Sequence, residues 1–432
     1  MAVVTLNYDA STGSDTLASG AGPSTAVTGT ATAGAGNIVN LSGSPDLSGV
    51  AVDDVLWVAS ASGNRHLSRI TAVDDGADTV TTEDTLTLGA GVNFAIGGSR
   101  KTLEYDNTAN DINDGKAGWR FSLGAGTYTM VGNGTHIFTP AAGTLADGPI
   151  EFVAASGAAT KPVISWSNDF RLFNLATVQS NLTISGIALE NTASASSGAV
   201  CVYSAVDDVT YRVVTCDLLS YGRCIDANKV TRLTVVGSDI ESTNNAGIRV
   251  AAGTKGVVSN CWIHDCGRSG SVPNSGLAAL WDNSSTSGSG VSFIGNRVTD
   301  SAGYGMFSTS TGTEHLAQIS NNVIYGSAID GIAILGNART SLVCFVNNIV
   351  SNNIGYGVNF LSGTNPSSLT TYADFNAFWQ NTSGHRNNIS AGANDVTLTA
   401  DPFVDAAAGD FTLNSTAGGG AACEDAGLGY NG

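Results

Sequence analysis

Between residues 181 and 382, apolar and polar positions alternate in short bursts, and the bursts recur. One recurring piece places an apolar residue two positions on either side of a small polar one. It occurs around Cys216, Ser238, Asn260, Asn296, Asn321 and Asn347 and, in a weaker copy with Asp374 on one side, around Asn376, at spacings of 22, 22, 36, 25, 26 and 29 residues. A second anchor recurs independently: a glycine followed by alternating apolar residues, at Gly198, Gly222, Gly247, Gly276, Gly305, Gly331 and Gly357. Alternation over four to six positions predicts strands with one face inward. Each period of about 26 residues therefore holds at least two short strands broken by Gly, Asn and Ser turns. No sustained helical periodicity is visible.

One such repeat cannot bury its apolar face alone, but stacked repeats can, each about 4.8 Å above the last. The pattern predicts an all-β fold, a parallel β-solenoid. The row of small polar residues then acquires a role. Asn tolerates left-handed turn geometry, and its carboxamide both donates and accepts along a stack. An internal ladder of Asn260, Asn296, Asn321, Asn347 and Asn376 is expected, continued by Cys216 and Ser238 as small fillers.

Three stretches organise the chain. Residues 106–400 read as solenoid, with degraded early coils at Trp119–Leu123, Ile150–Val153 and Val163–Trp166. Residues 1–105 read as a small β N-terminal module, an attachment or capping unit. Residues 9–49 there carry little hydrophobic signal, and strands are expected at Asp54–Ala59, Leu67–Val73 and Asp78–Leu88. Residues 401–432 form a closing segment, with Asp401-Pro402-Phe403, Gly409-Asp410-Phe411 and Asp425-Ala426-Gly427. The Gly anchors, the Asn row and this ending resemble the right-handed parallel β-helix, or pectate-lyase-like, superfamily over about residues 119–429. The Ser44–Val50 and Ile70–Asp74 motifs resemble the N-terminal modules of phage virion β-helix proteins.

Composition narrows the function classes. Only 12% of the 432 residues are charged, while 42% are hydrophobic, which argues against disorder and against exposed helical faces. The formal net charge is −18, with no basic cluster, so nucleic-acid binding is not expected. No apolar stretch is long enough for a membrane-spanning helix. Met1–Thr12 lacks the basic and apolar regions of a signal peptide. Seven cysteines, an odd number, without paired metal-binding spacing are expected as reduced thiols.

Candidate chemistry is sparse. Asp207 and Asp208 are adjacent, but the Gly-His-Gly and Arg-Ile-Lys motifs that accompany such a pair in polygalacturonase-like hydrolases are missing. The best local cluster is Asp217, Asp239 and Glu241, with Arg249, Lys255, His264 and Asp265 near in sequence. Asp217 and Asp239 occupy one outward position in adjacent coils, about 5 Å apart. Such a pair suits a hard cation or acid and nucleophile roles in glycoside cleavage, but a solvated surface pair is the favoured reading. Cys261 and Cys266 flank His264 and Asp265, with Cys261 expected outward and His264 on a turn. A complete ligand set is not evident. Trp281, Tyr304, Tyr325, Tyr356 and Trp379 are outward aromatics, expected to pack under loops or against a neighbouring subunit rather than to bind sugar. No catalytic residue, cofactor or metal set is assigned.

The resemblance implies a structural, non-enzymatic virion protein, a capsid decoration (cement) or spike. It would be homotrimeric, made in host cytoplasm and displayed on the virion surface. The N-terminal module would contact the major capsid or another virion protein. Expected lateral contacts are Tyr304, Phe307, Tyr325, Tyr356, Phe360 and Trp379. The alternative is a tailspike-type receptor-binding protein or a polysaccharide lyase or hydrolase acting on host glycan.

Overall fold

The computed structural model describes residues 4–427 except 14–18, 20–21, 60–64, 90, 100–118, 131–135, 139–148, 168–170, 176–180, 194–198, 206–208, 221, 243, 252, 268–277, 284–289, 309–314, 336–340, 362–368 and 425–426. The described residues form an all-β parallel β-solenoid with a small antiparallel barrel near the N-terminus. The chain divides into two compact units, Met1–Ala193 with Thr210–Arg212, and Ser194–Val209 with Val213–Gly432.

In the first unit, six antiparallel strands close a barrel in the order Val27–Ala33, Ile38–Ser42, Thr79–Thr82, Arg65–Asp74, Val55–Ala59 and Val92–Ile96. Its core holds Val39, Leu41, Leu56, Val58, Ile70, Val80 and Phe94. The strands at 55–59 and 65–74 stand where alternation places them. The third expected strand shrinks to Thr79–Thr82, and three more appear that hydrophobicity did not signal. Val27–Ala33 escapes notice because only Ala31 of its seven residues is fully buried.

The expected module 1–105 is not a single block. Its first strand, Val4–Tyr8, pairs in parallel with Trp119–Leu123, so the chain starts a solenoid sheet before it builds the barrel. The reason is packing: Leu6 and Tyr8 bury inward, and Tyr8 meets Phe121 with ring centroids 6.1 Å apart. Phe121 in turn stacks on Phe152 at 4.5 Å, and Phe152 meets Phe173 edge-on at 4.8 Å. Offset and edge-on pairs of this kind stabilise a stack beyond simple area burial.

In the second unit, three parallel sheets form the walls. The first runs through Val230–Val236, Lys255–Ser259, Gly290–Ile294, His315–Ser320, Ser341–Val346 and Leu369–Asp374. The second runs through Asp217–Ser220, Asp239–Ser242, Trp262–His264, Arg297–Thr299, Val323–Tyr325, Ile349–Ser351, Ala377–Trp379 and Val396–Thr397. The third begins at Val200–Ser204 and Arg223–Asn228 and ends at Tyr356–Phe360 and Gly384–Asn387.

The glycine anchors sit where the chain turns from the second sheet into the third. Their backbone φ is not positive, and crowding explains them. A Cβ on Gly331 would stand 2.6 Å from Val350 Cγ1, and one on Gly305 2.7 Å from the carbonyl oxygen of Gly331. Gly198 and Gly276 lie outside the described residues.

The polar ladder exists, but in a register that corrects the expectation at three positions. The inward row is Asn296, Asn322, Asn348 and Asn376. The Nδ2 of each of the first three donates to Oδ1 of the next at 2.9–3.0 Å, and its backbone N–H donates to the same oxygen. Cys261 begins this run by donating its N–H to Asn296, and Cys216 bonds likewise to Ser238. Asp395 ends the row, accepting from the N–H and Nδ2 of Asn376 and pairing with Arg386 at 2.6 Å. Asn260, Asn321 and Asn347 stand one residue earlier, on the outward turn, with φ of 53°, 57° and 58°. Thr215, Gly237, Gly295 and Phe375 share that left-handed position. The Asn-Asn doublets at 321–322 and 347–348 permit two alignments, and the left-handed turn takes the first Asn of each.

The closing segment from residue 401 does more than end the chain. Phe403–Asp405 and Asp410–Leu413 pair as a hairpin that folds back over the second sheet. Tyr325 meets Phe411 at 5.3 Å and Phe403 at 6.3 Å. Tyr325 is thus covered by its own chain and is withdrawn from the expected subunit contacts. Phe360 and Phe307 are also buried, at 0% and 6% exposure. Tyr304, stacked on Phe307, and Tyr356 and Trp379 remain half-buried at the surface.

Candidate functional site

The second sheet carries a dense group of ionisable and aromatic side chains that adjacent outward positions bring together. Strand register sets it. Asp217 stands beside Asp239, Asp239 beside Trp262, and Trp262 beside Arg297. Two residues further along, Glu241 stands beside His264, and His264 beside Thr299. The inward residues between these rows, Leu218, Ile240, Ile263 and Val298, are fully buried and anchor the strands. Alternation therefore forces the polar residues outward.

The hydrogen bonds define a network. His264 Nε2 lies 2.8 Å from Asp239 Oδ1, and Nδ1 lies 3.0 Å from Asp265 Oδ2. The imidazole is 13% exposed. Burial alone would lower its pKa, but the two carboxylate hydrogen bonds outweigh burial and hold the pKa above its ordinary value. Trp262 stacks on the imidazole at 4.1 Å and donates its indole N–H to Thr299 at 3.1 Å. The guanidinium of Arg297 lies 4.1 Å from the Trp262 ring centroid and 5.3 Å from that of Phe411, and donates to the carbonyl of Gly409 at 3.2 Å. Burial lowers the Arg297 pKa, with Asp239 opposing. The closing hairpin thus forms one wall of the group.

Of the residues expected to cluster, Asp217, Asp239, Glu241, His264 and Asp265 come together. Arg249 and Lys255 do not. Lys255 lies on the first sheet, and Arg249 on the third, where it binds Asp226 at 2.9 Å. Asp226 is almost fully buried and also pairs with Arg223 at 3.1 Å. Cys261 is inward and buried rather than outward, and His264 ends a strand rather than sitting on a turn. Burial pushes the Cys261 and Cys266 thiols up to about 11 and about 12, so both are protonated near neutrality. Trp262 and Arg297 were not singled out from sequence: the repeat aligned Arg297 with Asp217 and Asp239, but centring that coil on Asn260 put Cys261 in the row where the structure has Trp262. The Asp207-Asp208 pair lies outside the described residues, and Trp281 is placed only as part of Ala278–Asn283.

An imidazole held between carboxylates, beside a stacked Trp–Arg pair, offers groups that can bind a polar ligand and exchange a proton. Here its hydrogen-bonding capacity is engaged within the protein. No group of three or more His, Cys, Asp or Glu among the described residues is arranged to hold a metal. No helix among the described residues is long and apolar enough to cross a membrane.

The class these features define is the parallel β-solenoid, and residues 212–378 match the family described as Right handed beta helix region. Among solved structures, a pectate lyase is similar at 16% identity over 71% of this chain and 83% of that one, with a TM-score of 0.42. The A-module of a mannuronan C-5 epimerase from Azotobacter vinelandii is similar at 13% identity over 63% and 88%, with a TM-score of 0.29. A tailspike protein from Pseudomonas phage LKA1 is similar at 12% identity over 92% and 66%, with a TM-score of 0.18. These likenesses are of fold. No curated protein matches the chain.

Proposed function

We propose that this chain is a structural β-helix of a bacteriophage virion, a capsid decoration or spike, assembled as a homotrimer in the host cytoplasm. The N-terminal barrel would seat it on the major capsid protein or another virion protein. The observation that supports a scaffold over an enzyme is the internal engagement of the outward polar group. His264 is held by Asp239 and Asp265, Trp262 by Thr299, and Arg297 by the chain's own hairpin. Acid–base catalysis needs a group with a site open to substrate, and these groups spend their reach on one another. Light scattering on the purified protein is expected to give three chains, and gold-labelled antibody is expected to decorate intact particles. A monomer, or particles without label, overturns the reading.

One observation favours a second reading, a depolymerase acting on host glycan. Asp239 keeps 44% of its side chain exposed between Asp217 and the His264 imidazole. Carboxylates in adjacent coils suit glycoside cleavage. Release of reducing or unsaturated ends from host capsule or lipopolysaccharide, lost in Asp239→Asn and in Asp217→Asn, establishes that reading over the first.

A further inference from the structure

A second internal ladder runs just after the second-sheet strands and ends in the last coil. The N–H of Ser327 donates to Asn353 Oδ1 at 2.9 Å, and Asn353 Nδ2 donates to Asn381 Oδ1 at 2.7 Å. Asn381 Nδ2 donates to the carbonyl of Val350 at 2.9 Å and lies 3.5 Å from Nδ1 of His385. Ser327, Asn353 and Asn381 are buried.

His385 belongs to Gly384–Asn387, the last strand of the third sheet. Its neighbour Arg386 stands in the core-facing row of Met306, Ile332 and Val358. The Arg386 guanidinium lies 4.2 Å from the Phe378 ring centroid and pairs at 2.6 Å with Asp395, whose side chain is 2% exposed. The His385 ring lies 5.7 Å from the same Phe378 ring. Two basic side chains thus meet over one aromatic ring. Asp395 is occupied by Arg386, by Asn376 and by the N–H of Gly392.

The ladder sets which form of the imidazole fits. Asn381 turns its oxygen to Asn353 and its Nδ2 to Val350 and His385, so a donor faces the ring. Nδ1 must therefore accept, which the neutral ring does and the imidazolium cannot. A proton on Nδ1 would set two donors against each other and add a second positive charge beside Arg386. The titratable and charged groups around the ring are Arg386 on its own strand, Asp395 of the following turn, and Tyr356, which stands below Gly384. Burial, and then Arg386, hold the His385 pKa below its ordinary value.

We propose that His385 makes the end of the solenoid acid-sensitive: its protonation loosens residues 381–395 while the coils below stay closed. The unfolded segment binds the proton more tightly than the folded one. The stabilisation is therefore whole above about pH 6.5 and is lost as the pH falls through the lower folded value. This is the opposite sign to His264, which sits between two carboxylates. The proposal rests on neither reading of function, since it concerns neither the barrel nor the second-sheet polar group.

The test is hydrogen exchange on the full chain, read by mass spectrometry at about pH 7.5 and about pH 5 and corrected for intrinsic rates. Protection of residues 380–398 is expected to fall at least roughly threefold at the lower pH, with the coils at 230–350 unchanged. His385→Asn is expected to remove this pH dependence. Asn381→Asp sets an acceptor opposite the ring and is expected to reverse its sign, a response that a merely structural His385 would not give. The proposal is overturned by equal protection at the two pH values in the unaltered chain, or by a pH dependence that survives His385→Asn. It is also overturned by an unchanged sign in Asn381→Asp, or by loosening that spreads through all the coils.

Discussion

At the residue scale, neighbours in sequence have opposite roles. Asn322 is buried in the ladder, and Asn321 points to solvent from a left-handed turn. Replacing Asn322 with Leu strands the backbone N–H of Asn296 and one proton of its Nδ2, and removes the side-chain donor, though not the backbone donor, from the Oδ1 of Asn348. The expected loss is about 3 kcal/mol, since each orphaned buried group costs about 1–3 kcal/mol. Asn321→Gly should change stability by no more than about 0.5 kcal/mol, because glycine adopts this turn without strain. Urea midpoints of the two variants check the register; equal losses would restore the alignment in which Asn321 is the inward residue.

His264 supplies the pH dependence at the same scale. Its folded pKa lies above the ordinary value near 6.5, so the folded state holds the proton more tightly than the unfolded chain. The stabilisation is therefore fully present below about pH 6.5 and disappears as the pH rises through the folded value. His264→Asn should cost more stability at about pH 5 than at about pH 9. Thermal melts across this range test the sign, and a larger cost at high pH contradicts the two-carboxylate clamp.

At the scale of elements, crowding governs the corners between the second and third sheets. Gly331→Ala would drive a methyl group against Val350, Asn353 and the carbonyl of Gly357, all within 2.8 Å of the new Cβ. Overpacking of this kind costs about 1–3 kcal/mol, readable as a lower denaturation midpoint. The hairpin from Phe403 to Leu413 is held by Arg297, Tyr325 and the Phe403–Phe411 contact at 5.0 Å. Phe411→Ala removes the ring shared by three of these contacts. It is expected to cost about 1–2 kcal/mol and to speed proteolysis after residue 400 before the coils are cut.

At the scale of the whole molecule, the cysteines are distributed as packing residues. Cys201, Cys216, Cys224, Cys261 and Cys266 are buried, and only Cys344 and Cys423 are partly accessible; none is bonded to another. Thiol titration of the denatured, unreduced protein should find all seven, and in the native state Cys344 and Cys423 should react first. Fewer than seven in denaturant means that a disulfide forms. The same burial accounts for the raised thiol pKa values, which leave these groups poor nucleophiles near neutral pH.

Much of this architecture could be read before any coordinates. Alternation with a period near 26 residues requires stacked strands, because no single coil can bury its own apolar face. The pairing of Asp217 with Asp239 follows from the same register, whereas the place of His264 beside Glu241 does not, because the repeat centred on Asn260 puts that coil one residue out of step. Other features depended on contacts between residues far apart in the chain. An Asn doublet reads identically whichever of its two amides faces inward, and only the left-handed turn geometry chooses. Val4–Tyr8 joins a sheet more than 100 residues ahead of it because its apolar face fits beside Phe121. Arg297 meets Phe411 and Gly409 because the closing hairpin folds back across the wall instead of continuing along it. Local periodicity encodes which face of a strand is buried. It carries no information on which distant segment covers the outer face, since that depends on the fit of two surfaces that exist only once the coils have stacked.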